Sequence, residues 1–219
     1  MNNYKYIIKK YGINVGRQYI VDIPNIGRDD LAKLFSELEF KTGAEIGVER
    51  GYYSKVLCES NPNLHLSSID PWLASAYDLE AGIHAVDTEQ KRYDKRYEAC
   101  VKFLKPYNCT VIRKSSLDAV RDFEDESLDF VYIDANHDFL NFIQDLHHWR
   151  KRVRVGGIVS GHDYANFPFR KHNHVKRALQ VYARCYRMIP LFIVGAMEYE
   201  DGMIRDKFRS WFWVKDKHI

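Results

Sequence analysis

The chain has 219 residues, 46% of them apolar and 29% charged, and a net charge of +3. That is enough for one α/β core in a single domain, and too little net charge to argue for nucleic acid unless it is concentrated. The run Met1 to Lys10 is too weakly apolar for a signal peptide, no stretch could span a bilayer, and Cys58, Cys100, Cys109 and Cys185 have neither C-x-x-C nor zinc spacing, so a cytoplasmic protein with reduced core thiols is expected.

Residues 1–27, punctuated by Gly12, Gly16, Pro24 and Gly27, read as an irregular extension. A helix is expected over 29–39, with Asp29 and Asp30 in its first turn and Leu31, Leu34, Phe35 and Leu38 on one face. The stretch from Gly43 to Gly51 then reads as a strand tail (Ala44, Ile46), a glycine turn at Gly47, and a helix beginning after Gly51. A ligand can approach such a turn closely and meet the free N–H groups of the helix. Glu45 selects which ligand: its carboxylate would repel a pyrophosphate but accept hydrogen bonds from an ammonium. The pattern Glu45-x-Gly47-x-x-x-Gly51 is not the Gly-x-Gly-x-x-Gly of dinucleotide binders. It resembles the first motif of class I S-adenosylmethionine methyltransferases.

A second strand, Leu64 to Ile69, ends on Asp70-Pro71-Trp72. Asp70 is placed to accept from both hydroxyls of a ribose, and Trp72 offers a flat face for adenine. Residues 73–88 break the rhythm and read as a lid or binding loop. A helix over 89–104 carries Tyr93, Tyr97, Cys100, Val101 and Leu104 on a stripe expected to be core. Further strands follow at 109–113, before Lys114-Ser115-Ser116, and at 128–133, closed by Asp134-Ala135-Asn136-His137-Asp138. The next helix turns Phe139, Phe142, Ile143, Leu146, Trp149 and Val153 inward, and Gly157 to Gly161 form a strand closed by His162-Asp163-Tyr164. A basic loop, a helix at 174–186 and two strands at 189–198 and 208–215 complete the chain, with Glu200-Asp201-Gly202 as the turn of an antiparallel hairpin. Strands alternating with helices imply a mostly parallel, seven-stranded sheet covered on both faces, with ligand beyond the carboxyl ends of the strands. Glu45, Asp70, Ser115, Asp134 and His162-Asp163 all fall at those ends.

Asp134, His137, His162 and Asp163 could bind a divalent cation, run acid–base chemistry, or do both. Taken singly, each acid reads equally as a helix cap and each histidine as a surface residue; the cluster carries the reading. The run Ile133-Asp134-Ala135-Asn136-His137 … Asp145 … Trp149 … Gly156-Gly157-Ile158-Val159-Ser160-Gly161-His162-Asp163-Tyr164 resembles a branch of class I methyltransferases that includes the metal-using sugar O-methyltransferases of macrolide biosynthesis.

The resemblance implies a Rossmann-like methyltransferase domain in which Glu45, Gly47, Gly51, Asp70, Trp72, Ser115 and Asp134 meet S-adenosylmethionine. It further implies that Asp134 and Asp163 hold Mg²⁺ or another divalent metal, and that His137 is the base working beside Asp134. His162 stands where the sugar enzymes have a second acid, so here it would be a third ligand or a partner to the ligands, and the identity of the metal would differ. The expected acceptor is a hydroxyl of a small molecule, of the sugar or glycosylated-metabolite kind. A nucleic-acid methyltransferase, a non-catalytic S-adenosylmethionine-binding protein and, last, a nicotinamide oxidoreductase are the alternatives. Membrane association is not expected, nucleic acid is disfavoured, and homo-oligomerisation stays open.

Overall fold

The strand Leu128–Ile133 is buried at every position, which only a strand covered on both faces can be. Its side chains alternate: Val131 and Ile133 enter one core layer, Phe130 and Tyr132 the other. The computed structural model describes residues 2–74, 86–166, 173–198, 201–206 and 208–216, with backbone alone at 86–89. In chain order the elements are α1 (Asn3–Lys10), β1 (Ile20–Ile23), α2 (Arg28–Glu37), β2 (Thr42–Ile46), α3 (Tyr52–Ser60), β3 (His65–Asp70), α4 (Val86–Leu104), β4 (Cys109–Arg113), α5 (Ser116–Ala119), β5 (Leu128–Ile133), α6 (Phe139–Arg152), β6 (Val153–Gly161), α7 (Val175–Cys185), β7 (Leu191–Val194) and β8 (Ser210–Val214). The strands form one sheet in the order β1-β7-β8-β6-β5-β2-β3-β4, and β8 alone runs antiparallel to its neighbours.

One face of the sheet packs on α6 and α7 through Phe142, Leu146, Trp149, Leu179 and Tyr182. The other face packs on α1, α2 and α3 through Ile7, Leu31, Phe35, Tyr53 and Leu57. Among the described residues, no helix is long and apolar enough to cross a membrane.

The mostly parallel α/β sheet and its C-terminal antiparallel pair are as expected, with one strand more. Residues 2–27 hold a helix and a strand: Asn2 caps α1 by accepting from the Lys5 N–H, and Ile20 to Ile23 add an edge strand beside Leu191 to Val194. A four-residue strand has little periodicity of its own, and its partner lies far along the chain. Val153 opens β6 instead of closing the preceding helix, and Phe139 is exposed, because the first position of α6 faces away from the sheet. Val101 is exposed on α4 while Cys100 and Leu104 are buried. Cys58 and Cys100 are buried thiols, but Cys185 lies at the surface. Of the expected loop over 73–88, residues 75–85 lie outside the described residues. So do 167–172 of the basic loop and Glu200 of the expected hairpin turn.

Close packing across the sheet leaves Gly43 no room for a side chain: a Cβ there would sit 2.2 Å from the Phe130 ring. That ring is itself stacked on Phe35 at 4.2 Å between centroids, so it has little freedom to move away. Gly43→Ala should therefore lower the free energy of unfolding by about 1–3 kcal/mol, the usual cost of overpacking a core, measured by urea denaturation. An unchanged midpoint would show that the ring yields freely.

Candidate active site

The chain leaves β2 outward to β3 and β4, then returns to place β5 and β6 on the other side of β2. Crossovers that depart in opposite directions open a crevice at the carboxyl ends of the strands. Ile46 is in register with both Ile69 and Ile133, and Ile133 with Gly161. Gly47, Asp70, Asp134 and His162, each the next or final residue of its strand, are thereby brought to one rim. A cavity of about 710 Å³ opens there, lined by Glu45, Gly47, Asp70, Ser115, Asp134 and His137 among others. Gly47 has a φ of +89°, and a Cβ on it would lie 2.2 Å from the Asp134 carbonyl oxygen. Only glycine lets the loop after β2 approach the loop after β5 this closely. Gly51, with φ +79°, sits at the N-cap of α3.

Glu45 is 1% exposed and points toward α3, where the Ser54 hydroxyl donates to it. Ser54 in turn shares a hydrogen bond of 2.8 Å with Ser68. Burial pushes the Glu45 carboxyl up to about 8, against the pull of Ser54 and of the Arg28 charge, so at neutral pH it is mostly protonated. A cation entering the cavity would find an acid ready to ionise.

The opposite wall is ionic. Asp134 Oδ2 lies 3.0 Å from Nη2 of Arg28 and 3.8 Å from Nδ1 of His162. His137 Nε2 lies 2.6 Å from Asp163 Oδ2 and 3.6 Å from Asp134 Oδ1. These are charge contacts without hydrogen-bond alignment at the ring N–H. Burial alone would raise the Asp134 carboxyl, but the contact with His137 and the charges of His162 and Arg28 outweigh it and hold it below its ordinary value. Burial would likewise lower His137, yet the two carboxylates raise it to about 9. His162, where burial dominates, is lowered. His137 is therefore a proton donor at neutral pH until another cation takes over the charge of its carboxylates. Asp163 adopts a φ of +62°, a conformation Asp tolerates better than most residues and one often found at functional sites.

Asp134, His162 and Asp163 each offer a ligand atom, all within 4.8 Å of one another. Two carboxylate oxygens and an imidazole nitrogen at that spacing fit one divalent ion, with the nitrogen favouring transition metals over Mg²⁺. His162 and Asp163 stand behind Asp134, outside the cavity lining. A cation would have to compete with Arg28 and His137 for the acids.

Asp70 lines the cavity but is already engaged: Oδ2 accepts from the N–H groups of Val48 and Glu49, both at 3.0 Å, and Oδ1 from Trp72 at 2.8 Å. Lone pairs remain for a ligand hydroxyl, and the carboxylate also fixes the loop after β2. Trp72 requires a correction. Its ring is 1% exposed, packs 5.1 Å from Tyr97 and donates through Nε1 to the Glu49 carbonyl, so it presents no face to the cavity. The buried stripe of α4 captures it. Pro71, Leu73 and Tyr93 line the wall in its place. Ser115 caps α5, accepting from the Asp118 N–H at 3.2 Å.

Two cavity groups, Arg28 and Asp145, and the buried Ser54 behind Glu45 carry no sequence motif of their own. Arg28 lies outside every motif. Ser54 is the third residue of α3, and no local pattern marks it. Asp145 was legible: it shares the helical stripe of Phe142, Leu146 and Trp149, an acid on a buried face. It accepts from Ser116, whose hydroxyl also receives the Trp149 N–H at 2.8 Å, and burial raises its carboxyl to about 7.

Residues 44–164 match the family described as a methyltransferase domain. No curated protein matches the chain. Among solved structures, it is similar to the O-methyltransferase TomG from Streptomyces achromogenes, involved in tomaymycin synthesis and solved with S-adenosylmethionine. The TM-score is 0.57 at 15% identity, over 86% of this chain and 79% of that one. It is likewise similar to an O-methyltransferase from Bacillus cereus in complex with S-adenosylhomocysteine, with a TM-score of 0.57 at 16% identity over 97% and 87% of the two chains. The N-methyltransferase NodS from Bradyrhizobium japonicum WM9 gives 0.55 at 12% identity, over 87% and 95%. Identities this low establish a shared fold, and that fold serves both oxygen and nitrogen acceptors.

A carboxyl raised in the folded state binds its proton more tightly there than in the unfolded chain. Stability linked to Glu45 is thus fullest below its unfolded value and falls as pH rises toward about 8. Urea denaturation across that range should show the wild type losing stability relative to Glu45→Gln, which cannot ionise. Parallel pH profiles would mean that Glu45 is not raised.

Proposed function

The chain belongs to the methyltransferase-domain family, and from that premise we propose that it transfers a methyl group from S-adenosylmethionine to a hydroxyl of a small molecule. What carries the reading is the convergence of Glu45, Asp70, Asp134 and His137 on one cavity at the point where the strand order reverses. S-adenosylmethionine supplies the methyl on a sulfonium, a good leaving group, so the protein's work is to position the acceptor and manage its proton.

In this reading Glu45 ionises and accepts from the ammonium of the methionyl group. Asp70 accepts from the ribose hydroxyls with the lone pairs its backbone contacts leave free. Ser115, on the loop after β4, faces the base. The acceptor hydroxyl lies beside His137, and its proton passes to the imidazole once the ring is neutral. Asp163, 2.6 Å from Nε2, orients the ring and stabilises the imidazolium. Asp134 on the cavity wall, with His162 and Asp163 behind it, would hold a divalent cation, which when bound would offset the charge of the acids that keep His137 protonated. Asn136 and Asn141 add amide groups to the wall, and Tyr52 and Leu73, 64% and 62% exposed, add apolar surface at the rim. That mixture suits a hydroxyl-rich acceptor with an apolar face, such as a sugar or glycosylated metabolite.

Calorimetry should show binding of S-adenosylhomocysteine and none of NADH; the reverse result overturns the cofactor assignment. With an acceptor in hand, from a panel of sugar-bearing alcohols, His137→Ala should lower kcat by about 10²–10⁴-fold, the usual weight of a general base, and leave S-adenosylhomocysteine binding intact. A chelator should abolish transfer without releasing S-adenosylhomocysteine. Activity that survives both the chelator and Asp163→Ala rules the cation out.

A further inference from the structure

Arg28 lies outside the segment that matches the family, yet it forms part of the cavity wall. It is the first residue of α2, and several contacts fix it. The guanidinium carbon is 3.9 Å from the Tyr53 ring centroid and 5.0 Å from that of Tyr132, while the Tyr53 hydroxyl donates to the Arg28 carbonyl at 3.0 Å. Held this way the fork is oriented on the cavity wall before any ligand arrives. Nη2 donates to Asp134 at 3.0 Å, and Nε is sealed from solvent, so the edge of the fork left for a ligand is that of Nη1 and the second N–H of Nη2. The side chain is 28% exposed and lines the cavity, so this edge is open to an entering acceptor.

We propose that Arg28 receives the α-carboxylate of the methionyl group, making it the residue by which the site distinguishes S-adenosylmethionine from a decarboxylated, aminopropyl-bearing donor. The inference rests on the cofactor assignment above and extends it. A guanidinium fork matches a carboxylate with two parallel hydrogen bonds. Glu45 faces the same cavity and is close enough to feel the Arg28 charge. An amino-acid end therefore finds an acid for its ammonium and a cation for its carboxylate, side by side. Neither an amine alone nor an acid alone would satisfy both. Arg28 can keep Nη2 on Asp134 while its remaining donors turn to the ligand, so binding need not break the existing contact.

The test is calorimetric, with S-adenosylhomocysteine and with its decarboxylated analogue, in which hydrogen replaces the carboxylate. Wild-type protein should bind the first tighter by roughly ten- to a hundredfold, the weight of charge-assisted hydrogen bonds. In Arg28→Met that preference should collapse toward one, through weaker binding of S-adenosylhomocysteine with the analogue unchanged. Arg28→Lys, which keeps the charge but loses the fork, should retain part of it. A variant that weakens both ligands equally shows that Arg28 only supports the wall, and overturns the proposal. If the variants fail to fold, a wild-type preference near one overturns it without them. Should wild-type protein bind neither compound, the cofactor assignment itself falls, an outcome distinct from equal binding of both.

Discussion

A carboxyl group buried at the end of a central strand is the constraint around which the cavity is arranged. Glu45 sits one residue before the end of β2, on the face that packs against α3, and is only 1% exposed at the floor of the cavity. Two serines, Ser54 and Ser68, give it a hydroxyl to accept from and a continuing hydrogen-bonded chain. Burying a charge without a partner is far more costly than burying its protonated form. Glu45 is accordingly mostly neutral at rest, and its ionisation is coupled to whatever cation enters the cavity. The Arg28 charge acts on Glu45 but is committed in part to Asp134, so it does not fully neutralise the acid.

The facing wall solves the opposite problem. Asp134 and Asp163 are both brought to the rim by adjacent parallel strands, and Arg28 and His137 meet them there. Backbone features support this geometry where side chains cannot: Gly47 admits the Asp134 carbonyl, and Asp163 adopts a left-handed φ that directs its carboxylate to His137. The cavity thus has a protonated acid on one side and an ion-paired cluster on the other. A ligand carrying positive charge near Glu45 and an acceptor near His137 would complete both.

Much of this was legible in the sequence because strand ends in parallel sheets are local signals. Glu45, Gly47, Asp70, Ser115, Asp134 and His137 each follow a recognisable apolar run, and all of them do line one cavity. Asp163 and His162 likewise end their strand, but they stand behind the wall. The failures have physical causes. Trp72 has an exposed position in the pattern, yet Tyr97 and the Glu49 carbonyl pull its ring beneath the loop, with φ +41° as the consequence. Arg28 meets Asp134 across 106 residues, a distance over which periodicity carries no information. The edge strand β1 exists because β7 offers it a partner, and four residues alone could not announce it.

The state of Glu45 can be read during binding. Calorimetry of S-adenosylhomocysteine near neutral pH, repeated in buffers of different ionisation enthalpy, counts protons exchanged with solvent. Because the buried acid is mostly protonated beforehand and faces an ammonium afterwards, release of about one proton is expected, and Glu45→Gln should abolish it. Tight binding with no net proton release, or with the same release from Glu45→Gln, would contradict a cavity built around this residue.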